Sequence, residues 1–583
     1  MKRHLMKFVI ALSAAAAAQA QAPVITDVQD AGSYTAVIAQ GSVFVVKGTN
    51  LATSSVFATA PYPTVLGGVS ITFTPVGGGA SVTALMVYTF RDGSVTQLAA
   101  LLPAGTAAGD YNVVVRTGAG ASAAFTVTVV VRKFGIITVP GSGAGRAVIL
   151  NVLPDGKVAV NRFTSGSLTY QGTVYAYGPA YPGQTVITFG TGLGGTVTDS
   201  TVVIIGGQEV KPLYAGPSDP QYPGLDQINV TLPANVQTGC YVPFIVRVGT
   251  QISNATTISI APNSSATACV DPVLTPDQLT SLDRGGTLSR SWFYLSSNNT
   301  TINLSSVVPT LKDPLPARNE SATGAFAQIT ADNLADANAF FAPSGTCQVF
   351  HRVGGALAVL IPNTTLLDAG TVTLNGPNVT NQAFTEDATH LYNLNLGTAV
   401  TLPAGVTLPP IIAQQFTSTP KITTGTYSIS GAGGKDVGKF GPASVTIPSP
   451  LTLANPLPAS IPRAQNLTIS WTGGGTNPVQ IIGASGGPAA DSTQANPSFN
   501  SQVFVCTTTA DKGSFTVPAS ILAQLPATPP LGPAAANGLG FISVAMTTPV
   551  PANGNFTAPL TAGGTIPGSF VGSIGFTANT TYQ

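Results

Sequence analysis

The chain has 583 residues, a length that suggests about three to five domains and several sizeable cores. Only 8% of its residues are charged while 64 Gly and 46 Pro make up nearly a fifth, which argues against a helical enzyme, and 44% hydrophobic content excludes a disordered chain. A formal charge of +1 offers nothing to nucleic acid or to an acidic membrane surface.

Residues 1–20 read as a signal peptide. Lys2, Arg3 and Lys7 form a basic start, Phe8 to Ala18 a short apolar core, and Ala18-Gln19-Ala20 a small-x-small cleavage site. The apolar run is short of the roughly 18 residues of a membrane span. Its removal leaves 20 basic and 22 acidic side chains, a formal charge of −2, in a chain expected to be exported and without a span.

Two copies of one β module follow, over 21–131 and 132–262. Gln97 to Pro103, then Gly109 and Tyr111, match Gln227 to Pro233, Gly239 and Tyr241 at a constant offset of 130. GSVFVVKGTNLA from Gly41 likewise matches GQTVITFGTGLG from Gly183, with about 12 extra residues between the two anchors in the first copy, expected around Pro61 and Pro63. In Ile228-Asn229-Val230-Thr231-Leu232 apolar and polar residues alternate, the period of a strand with one buried face, and Pro233 ends it. The first copy closes on Ala124 to Val129, and a hairpin turning at Pro154-Asp155-Gly156 is expected between the modules.

GTNLA and GTGLG, the GGV and IGG strands, LYAGPSDPQYPGLDQINVTLPANVQTG and the closing VRVG carry a resemblance over about 36–262. This part of the chain resembles the uncharacterised Solibacter-type C-terminal domain, a module of secreted acidobacterial proteins related to IPT/TIG folds. The first copy is divergent, since Leu98-Ala99-Ala100-Leu101 replaces the polar alternation. The resemblance implies export and an Ig-like sandwich, and it brings no catalytic residues.

Four cysteines, an even number, suit an oxidising compartment. Cys240 and Cys269 lie at the two ends of the second module's closing strands, which predicts a bond with Cα atoms about 4.4–6.8 Å apart, worth roughly 3–4 kcal/mol. Cys347 and Cys506 are either a long-range pair or two buried thiols.

From Pro262 the character changes. In 263–365, a mixed but mostly β middle region, Thr275-Pro276-Asp277-Gln278 forms a capping box before Leu279 and Leu282, with Gly285 as the stop, and Ala331 to Phe341 could hold a second helix. Strands return in 366–450 and 451–583, where Trp471 reads as the core tryptophan of a further sandwich. Ser520 to Leu525 is at most a turn or two of helix, and the last 30 residues read as an edge strand or a loose tail.

Chemistry is sparse. Gly190, Gly192 and Gly195 match GxGxxG, but no helix follows, so they read as turn glycines. Gly483-Ala484-Ser485-Gly486-Gly487 departs from a nucleophile elbow. Only His351 and His390 survive signal removal. His390 with Glu386 and Asp387 lacks paired-ligand spacing, and Asp332, Asp336 and Asn338 lack a calcium-loop rhythm. Trp292, Phe293 and Tyr294 form either an exposed stacking platform or, the favoured reading, a core strand. Asn254 and Asn299 sit in Asn-x-Ser/Thr sequences.

The expectation is an all-β protein of tandem Ig-like β-sandwiches with a mixed middle region, secreted and non-catalytic, without metal or cofactor. It would bind or adhere to an unknown extracellular ligand, glycan or protein, and not to nucleic acid. The alternative is a carbohydrate-binding or hydrolase-associated protein with its site in 263–365.

Overall fold

The computed structural model describes residues 21–583 apart from 195–200, 250, 272–273, 303, 305–313, 333–343, 355–363, 404–407, 409–412, 418, 489–498, 529–538 and 550–553. The expected signal peptide therefore lies outside the described residues. Strands dominate throughout, so the fold is all-β.

The two modules are two sandwiches with the same strand order, apart from Val56–Phe57 in the first and an insertion in the second. In the first, one sheet orders Val24–Asp30, Val43–Thr49, Val95–Leu101, Leu85–Asp92 and Val56–Phe57. Its partner orders Val37–Ala39, Phe125–Val130, Gly109–Thr117, Ser70–Pro75 and Val82–Thr83. In the second module Gly135–Ile136, Thr185–Thr191, Asp226–Thr231 and Tyr214–Pro217 repeat the first sheet. Gly145–Arg146, Thr256–Ile260, Gly239–Val248, Thr201–Ile205 and Gln208–Val210 repeat the other. Gln97–Pro103 and Gln227–Pro233 thus run along equivalent strands of separate sheets. The alternation around Ile228 does what its period requires: Ile228 and Val230 are fully buried while Asn229 and Thr231 stay partly wet. Each module closes its own core, around Phe44, Phe73 and Tyr111 in the first and Phe134, Phe244 and Ile258 in the second.

The second module has what the first lacks. Between Gly145–Arg146 and Thr185–Thr191 it inserts Ile149–Val152, Val158–Asn161, Gly166–Tyr170 and Thr173–Gly178, which extend its first sheet outward to a free edge at Gly166–Tyr170. The hairpin expected at Pro154-Asp155-Gly156 is the first half of this extension, closed by Leu153 N donating to Lys157 O at 2.8 Å.

The junction between the modules has little slack. A Cβ on Gly32 or Gly192 would overlap the carbonyl oxygen of Gly135 or of Lys133, and one on Gly224 would press into Val43 and Leu101 of the first module. Thr191 Oγ1 accepts from Val43 N at 2.8 Å and donates to Gly224 O at 2.6 Å, pinning the two sandwiches together.

Most of the remaining strands share one 12-stranded sheet. Its path runs Thr346–Gly354, Phe499–Thr509, Pro478–Pro488, Leu539–Thr547, Thr565–Asn579, Leu288–Ile302, Leu315–Ile329, Tyr392–Val400 and Thr385–Glu386. The expected divisions at 365/366 and 450/451 fall inside this sheet. A four-stranded sheet, Val379–Ala383, Val372–Gly376, Gly425–Gly431 and Phe440–Ile447, covers part of it over a core containing Phe293, Phe326, Tyr392, Tyr427, Phe440 and Phe570. A three-stranded sheet carries Trp471, which is buried and donates Nε1–H to Ala510 O at 3.0 Å.

The expectation of a marginal C-terminus is corrected. Thr565–Asn579 lies in the interior of the large sheet, antiparallel to Leu539–Thr547 and parallel to Leu288–Ile302. Its glycines make room for neighbours: a Cβ on Gly568 would meet the Phe556 ring, and one on Gly572 would meet Ile447 Cδ1. Helix Pro276–Asp283 has the expected capping box, with Thr275 Oγ1 accepting from Gln278 N at 3.3 Å and Gln278 Oε1 accepting from Thr275 N at 3.0 Å. Residues 333–343, where a second helix was expected, lie outside the described residues, and the short helix near Ser520 is Ala519–Leu522.

Candidate functional site

The insertion of the second module presents a surface unlike the rest of the chain. Gly166–Tyr170 and Thr173–Gly178 pair with Tyr170 opposite Thr173, Leu168 opposite Tyr175 and Gly166 opposite Tyr177. Directly opposed residues share a face, so Tyr170, Leu168, Tyr175 and Tyr177 all lie on one side of the ribbon. The two-residue turn Gln171-Gly172 has φ of +49° and +79°, the backbone of a type I′ hairpin. Tyr170 is 61% exposed, Tyr175 44% and Val174 66%, values that set this hairpin apart from strands packed on a core.

The tyrosine face descends into a cleft of about 890 Å³ lined by Gly166, Ser167, Leu168 and Tyr177 on one side and by Leu282–Gly286 and Thr330–Asp332 on the other. Tyr177 lies over Gly166, where a Cβ would collide with its ring, and the Arg162 guanidinium stacks on the same ring at 5.3 Å. Arg162 Nη1 also donates to Asp283 O at 2.6 Å, where the helix Pro276–Asp283 ends.

At the floor Arg146 binds two carboxylates. Its Nε and Nη2 donate to Asp332 Oδ1 at 2.9 and 2.6 Å, and its Nη1 stands 3.6 Å from Asp283 Oδ1. Asp283 Oδ2 accepts from Thr164 N at 2.7 Å and from Thr164 Oγ1 at 2.9 Å. The Asp283 side chain is fully buried, and that burial pushes its carboxyl above the usual range, against the lowering effect of Thr164 and Arg146. Arg146 also covers the Phe163 ring at 5.4 Å, and Phe163 packs edge-on against Tyr241. These contacts join the second module to the middle region over a shared core of Phe163, Leu279, Leu282 and Ile329.

Other residues singled out in the sequence fall elsewhere. Cys240 and Cys269 are bonded, with Cα atoms 5.1 Å apart, inside that shared core. Cys347 and Cys506 are also bonded, as directly opposed residues of adjacent strands. Gly190 and Gly192 pack against Phe134, Gly135 and Lys133 at the module junction, and Asp226 Oδ2 accepts from Leu193 N at 2.7 Å to hold their turn. Gly195 lies outside the described residues. Gly483–Gly487 sits in a straight strand, so no elbow forms.

His351 occupies one edge strand of the large sheet, opposite Gln502, while His390 sits beside the strand at the other edge. His390 Nδ1 contacts Glu386 Oε1 at 2.7 Å, and Asp387 closes its own turn, accepting from Thr389 and Leu391. Among the described residues no three His, Cys, Asp or Glu side chains could hold a metal ion. Asp332 is the partner of Arg146, while Asp336 and Asn338 lie outside the described residues. Phe293 is fully buried with Trp292 and Tyr294 flanking it in a strand, as the core reading requires. Asn254 is buried, bonded to the backbone of Ile136 and Gly143, and Asn299 donates to Gly575 O.

The tyrosine hairpin was missed in the sequence, although the alternation of Leu168 with Tyr170 and of Tyr175 with Tyr177 was there to be read.

No family model and no curated protein matches the chain. Among solved structures it has a likeness to SGBP-B of a Bacteroides ovatus mixed-linkage glucan utilization locus, solved with a mixed-linkage heptasaccharide: 14% identity, 62% of this chain, 66% of that one, TM-score 0.18. Native E. coli alpha-2-macroglobulin is 10% identical over 95% of this chain and 40% of that one, with a TM-score of 0.13. Fragment I67–I69 of titin is 9% identical over 72% and 96%, with a TM-score of 0.12. The chain therefore spans just under two thirds of the first of these proteins and two fifths of the second. Scores this low carry no argument about what the chain does.

Proposed function

We propose that this protein is an exported, non-catalytic binding protein whose recognition surface is the tyrosine face of hairpin Gly166–Gly178 and the adjoining cleft. The observation that carries the reading is the exposure of Tyr170 and Tyr175 on an extension the first module lacks. Aromatic rings held on a sheet lose little freedom on binding and offer large flat contacts, which suits recognition and serves no purpose in a core. The two disulfides fit an oxidising exterior, and among the described residues no helix is long and apolar enough to cross a membrane. Membership of both modules in the Solibacter-type C-terminal domain family is part of the proposal; what supports it is their common strand order together with the GTNLA and GTGLG turns.

A second reading, a hydrolase with its site in the middle region, draws on one observation: the cleft holds two carboxylates, one with a raised pKa. Both face Arg146, and Asp283 has its other oxygen taken by Thr164, an arrangement that favours a structural role for the pair. The two readings separate in one experiment. Binding to a glycan array, together with turnover of polysaccharide, peptide and ester substrates, is measured for the wild type, for Tyr170→Ser/Tyr175→Ser and for Asp332→Asn. Binding lost in the tyrosine variant without turnover in any protein supports the proposal. Turnover abolished by Asp332→Asn would sink it in favour of the hydrolase.

A further inference from the structure

The surface just described is aromatic at one end and cationic at the other. Tyr175 and Tyr177 are two residues apart on one strand, about 6.6–6.8 Å along it, and Tyr170 lies diagonally across from Tyr175, with Cβ atoms about 7–8 Å apart. The rings thus form a row that leads from the hairpin tip into the cleft. At the cleft the wall carries the hydroxyls of Ser165, Ser167 and Thr330 and the bare backbone of Gly285 and Gly286, beside the apolar Leu168, Leu282 and Ala331.

The charges there do not cancel. Asp283 and Asp332 are both engaged by Arg146, which leaves Arg162 and Arg284 on the cleft wall with no carboxylate partner among the described residues. Arg162 spends Nη1 on a backbone carbonyl and its face on Tyr177, and its Nε, shielded from solvent, makes no hydrogen bond in the protein. Arg284 caps the helix and points its exposed side chain to solvent. A guanidinium fork fits a carboxylate edge-on with two parallel bonds, which a neutral hydroxyl cannot match.

We infer that the ligand of this surface is an acidic oligosaccharide, a chain of pyranose rings bearing uronate carboxylates. This rests on the binding reading above. The rings of the ligand lie against the exposed Tyr170 and Tyr175, while Tyr177 is buried under Arg162 and holds that guanidinium in place. The ligand's hydroxyls meet the Ser and Thr of the cleft wall, and a carboxylate sits between Arg162 and Arg284. An extended acidic peptide could add to the free edge at Gly166–Tyr170, but strand addition draws its specificity from pockets for alternate side chains. The cleft wall sets hydroxyls and glycines beside Val139, Leu168, Leu282 and Ala331, so a peptide is the competing ligand and a polyglutamate probe decides between the two.

The test is calorimetric titration of the full chain with three probes: a hexameric oligogalacturonate, its fully methyl-esterified neutral form, and a polyglutamate peptide. Tyr175→Ser and Arg284→Gln are compared with the wild type, since both side chains are exposed and an unchanged melting curve confirms that the variants fold. The expected result is binding of the oligogalacturonate that weakens with added salt, about three- to tenfold with Tyr175→Ser and about tenfold with Arg284→Gln. The neutral ester should bind about tenfold more weakly to the wild type and be indifferent to Arg284→Gln. Equal binding of acid and ester, lost in Tyr175→Ser alone, overturns the acidic ligand and leaves the binding surface standing. Tighter binding of polyglutamate, dependent on both residues, overturns the carbohydrate. No binding of any probe, or binding unchanged in both variants, overturns the inference and the surface together.

Discussion

Replacing Arg146 with methionine removes the cation that contacts both Asp283 and Asp332. The Asp283 side chain has no exposure and that of Arg146 only 10%, so the variant leaves a buried carboxylate uncompensated. Breaking a buried pair from one side costs about 3–5 kcal/mol. The Asp332 contact adds at most about 1 kcal/mol, because a third of that side chain is in solvent, and the lost cover over Phe163 about 0.5–2 kcal/mol. Methionine recovers part of this by filling the apolar space against Phe163, so a net loss of about 3 kcal/mol is expected.

Hydrogen exchange along helix Pro276–Asp283 reads that loss locally, without assuming that so large a chain unfolds in one step. A loss of about 3 kcal/mol corresponds to roughly a hundredfold faster exchange. The effect depends on pH with a definite sign. The folded Asp283 carboxyl already lies above its ordinary value, and removing Arg146 raises it further. The folded variant therefore holds a proton that the unfolded chain has released, and its stability falls as pH rises through that window. Exchange should accelerate more at pH 8 than at pH 5. In the double variant Arg146→Met/Asp283→Asn most of the loss should disappear, since no buried charge is left behind and Asp332 keeps a third of its side chain in solvent. Exchange at pH 8 within about threefold of the wild type, or strictly additive losses in the double variant, would refute the argument.

Two further outcomes follow from buried groups. Asp30 is pushed up to about 6 and Lys133 down to about 8, in both cases chiefly by burial beside the module junction, with their mutual attraction opposing each shift. The raised acid contributes stability that is lost as pH climbs from about 4 through 6, and the lowered amine contributes stability that is regained as pH climbs from about 8 to 10. The melting temperature of wild type should thus fall from pH 4 to 6, and Asp30→Asn should flatten that slope; a variant with the wild-type slope would count against the assignment. In the last long strand, Gly572→Val would force a side chain into Ile447 Cδ1 and cost about 1–3 kcal/mol, partly restored by Ile447→Ala. An unchanged melting curve for Gly572→Val would show that this glycine is no packing position.

Both modules could be read from the chain because repetition and a period of two are local patterns, and Ile228 and Val230 face inward as the alternation around them demands. The capping box at Thr275 was equally local. What escaped the sequence was long-range. The pairing of Thr565–Asn579 with Leu288–Ile302 leaves no trace in either segment, and a strand rich in Gly reads as loose until Phe556 and Ile447 are seen to fill the space its glycines leave. Arg146 and Asp332 are 186 residues apart, with nothing in their surroundings to announce the bond. The tyrosine hairpin failed for another reason. Gln171-Gly172 makes a type I′ turn without the Asn-Gly that marks one, so the alternation on either side of it had no turn signal to join it into a hairpin.

The parallel contact between Leu288–Ile302 and Thr565–Asn579 sets an order of events for a growing chain. Each N-terminal sandwich can close with residues that lie within about 130 positions of one another, so it can finish while the rest is still being made. The large sheet cannot. The hairpin of Leu288–Ile302 and Leu315–Ile329 has fifteen residues to a strand, and one of its edges waits for a partner that begins 263 positions after Ile302, at Thr565. In that interval Phe293 and Phe326 lack the cover of Ile566, Phe570 and Ile574 from that strand. A long unpaired edge with bare aromatics is a template for pairing with the wrong chain. A truncation before Thr565 should therefore produce aggregates, not a shorter soluble protein, and holding the unfinished chain apart from its copies is a task the cell must perform before this protein can exist.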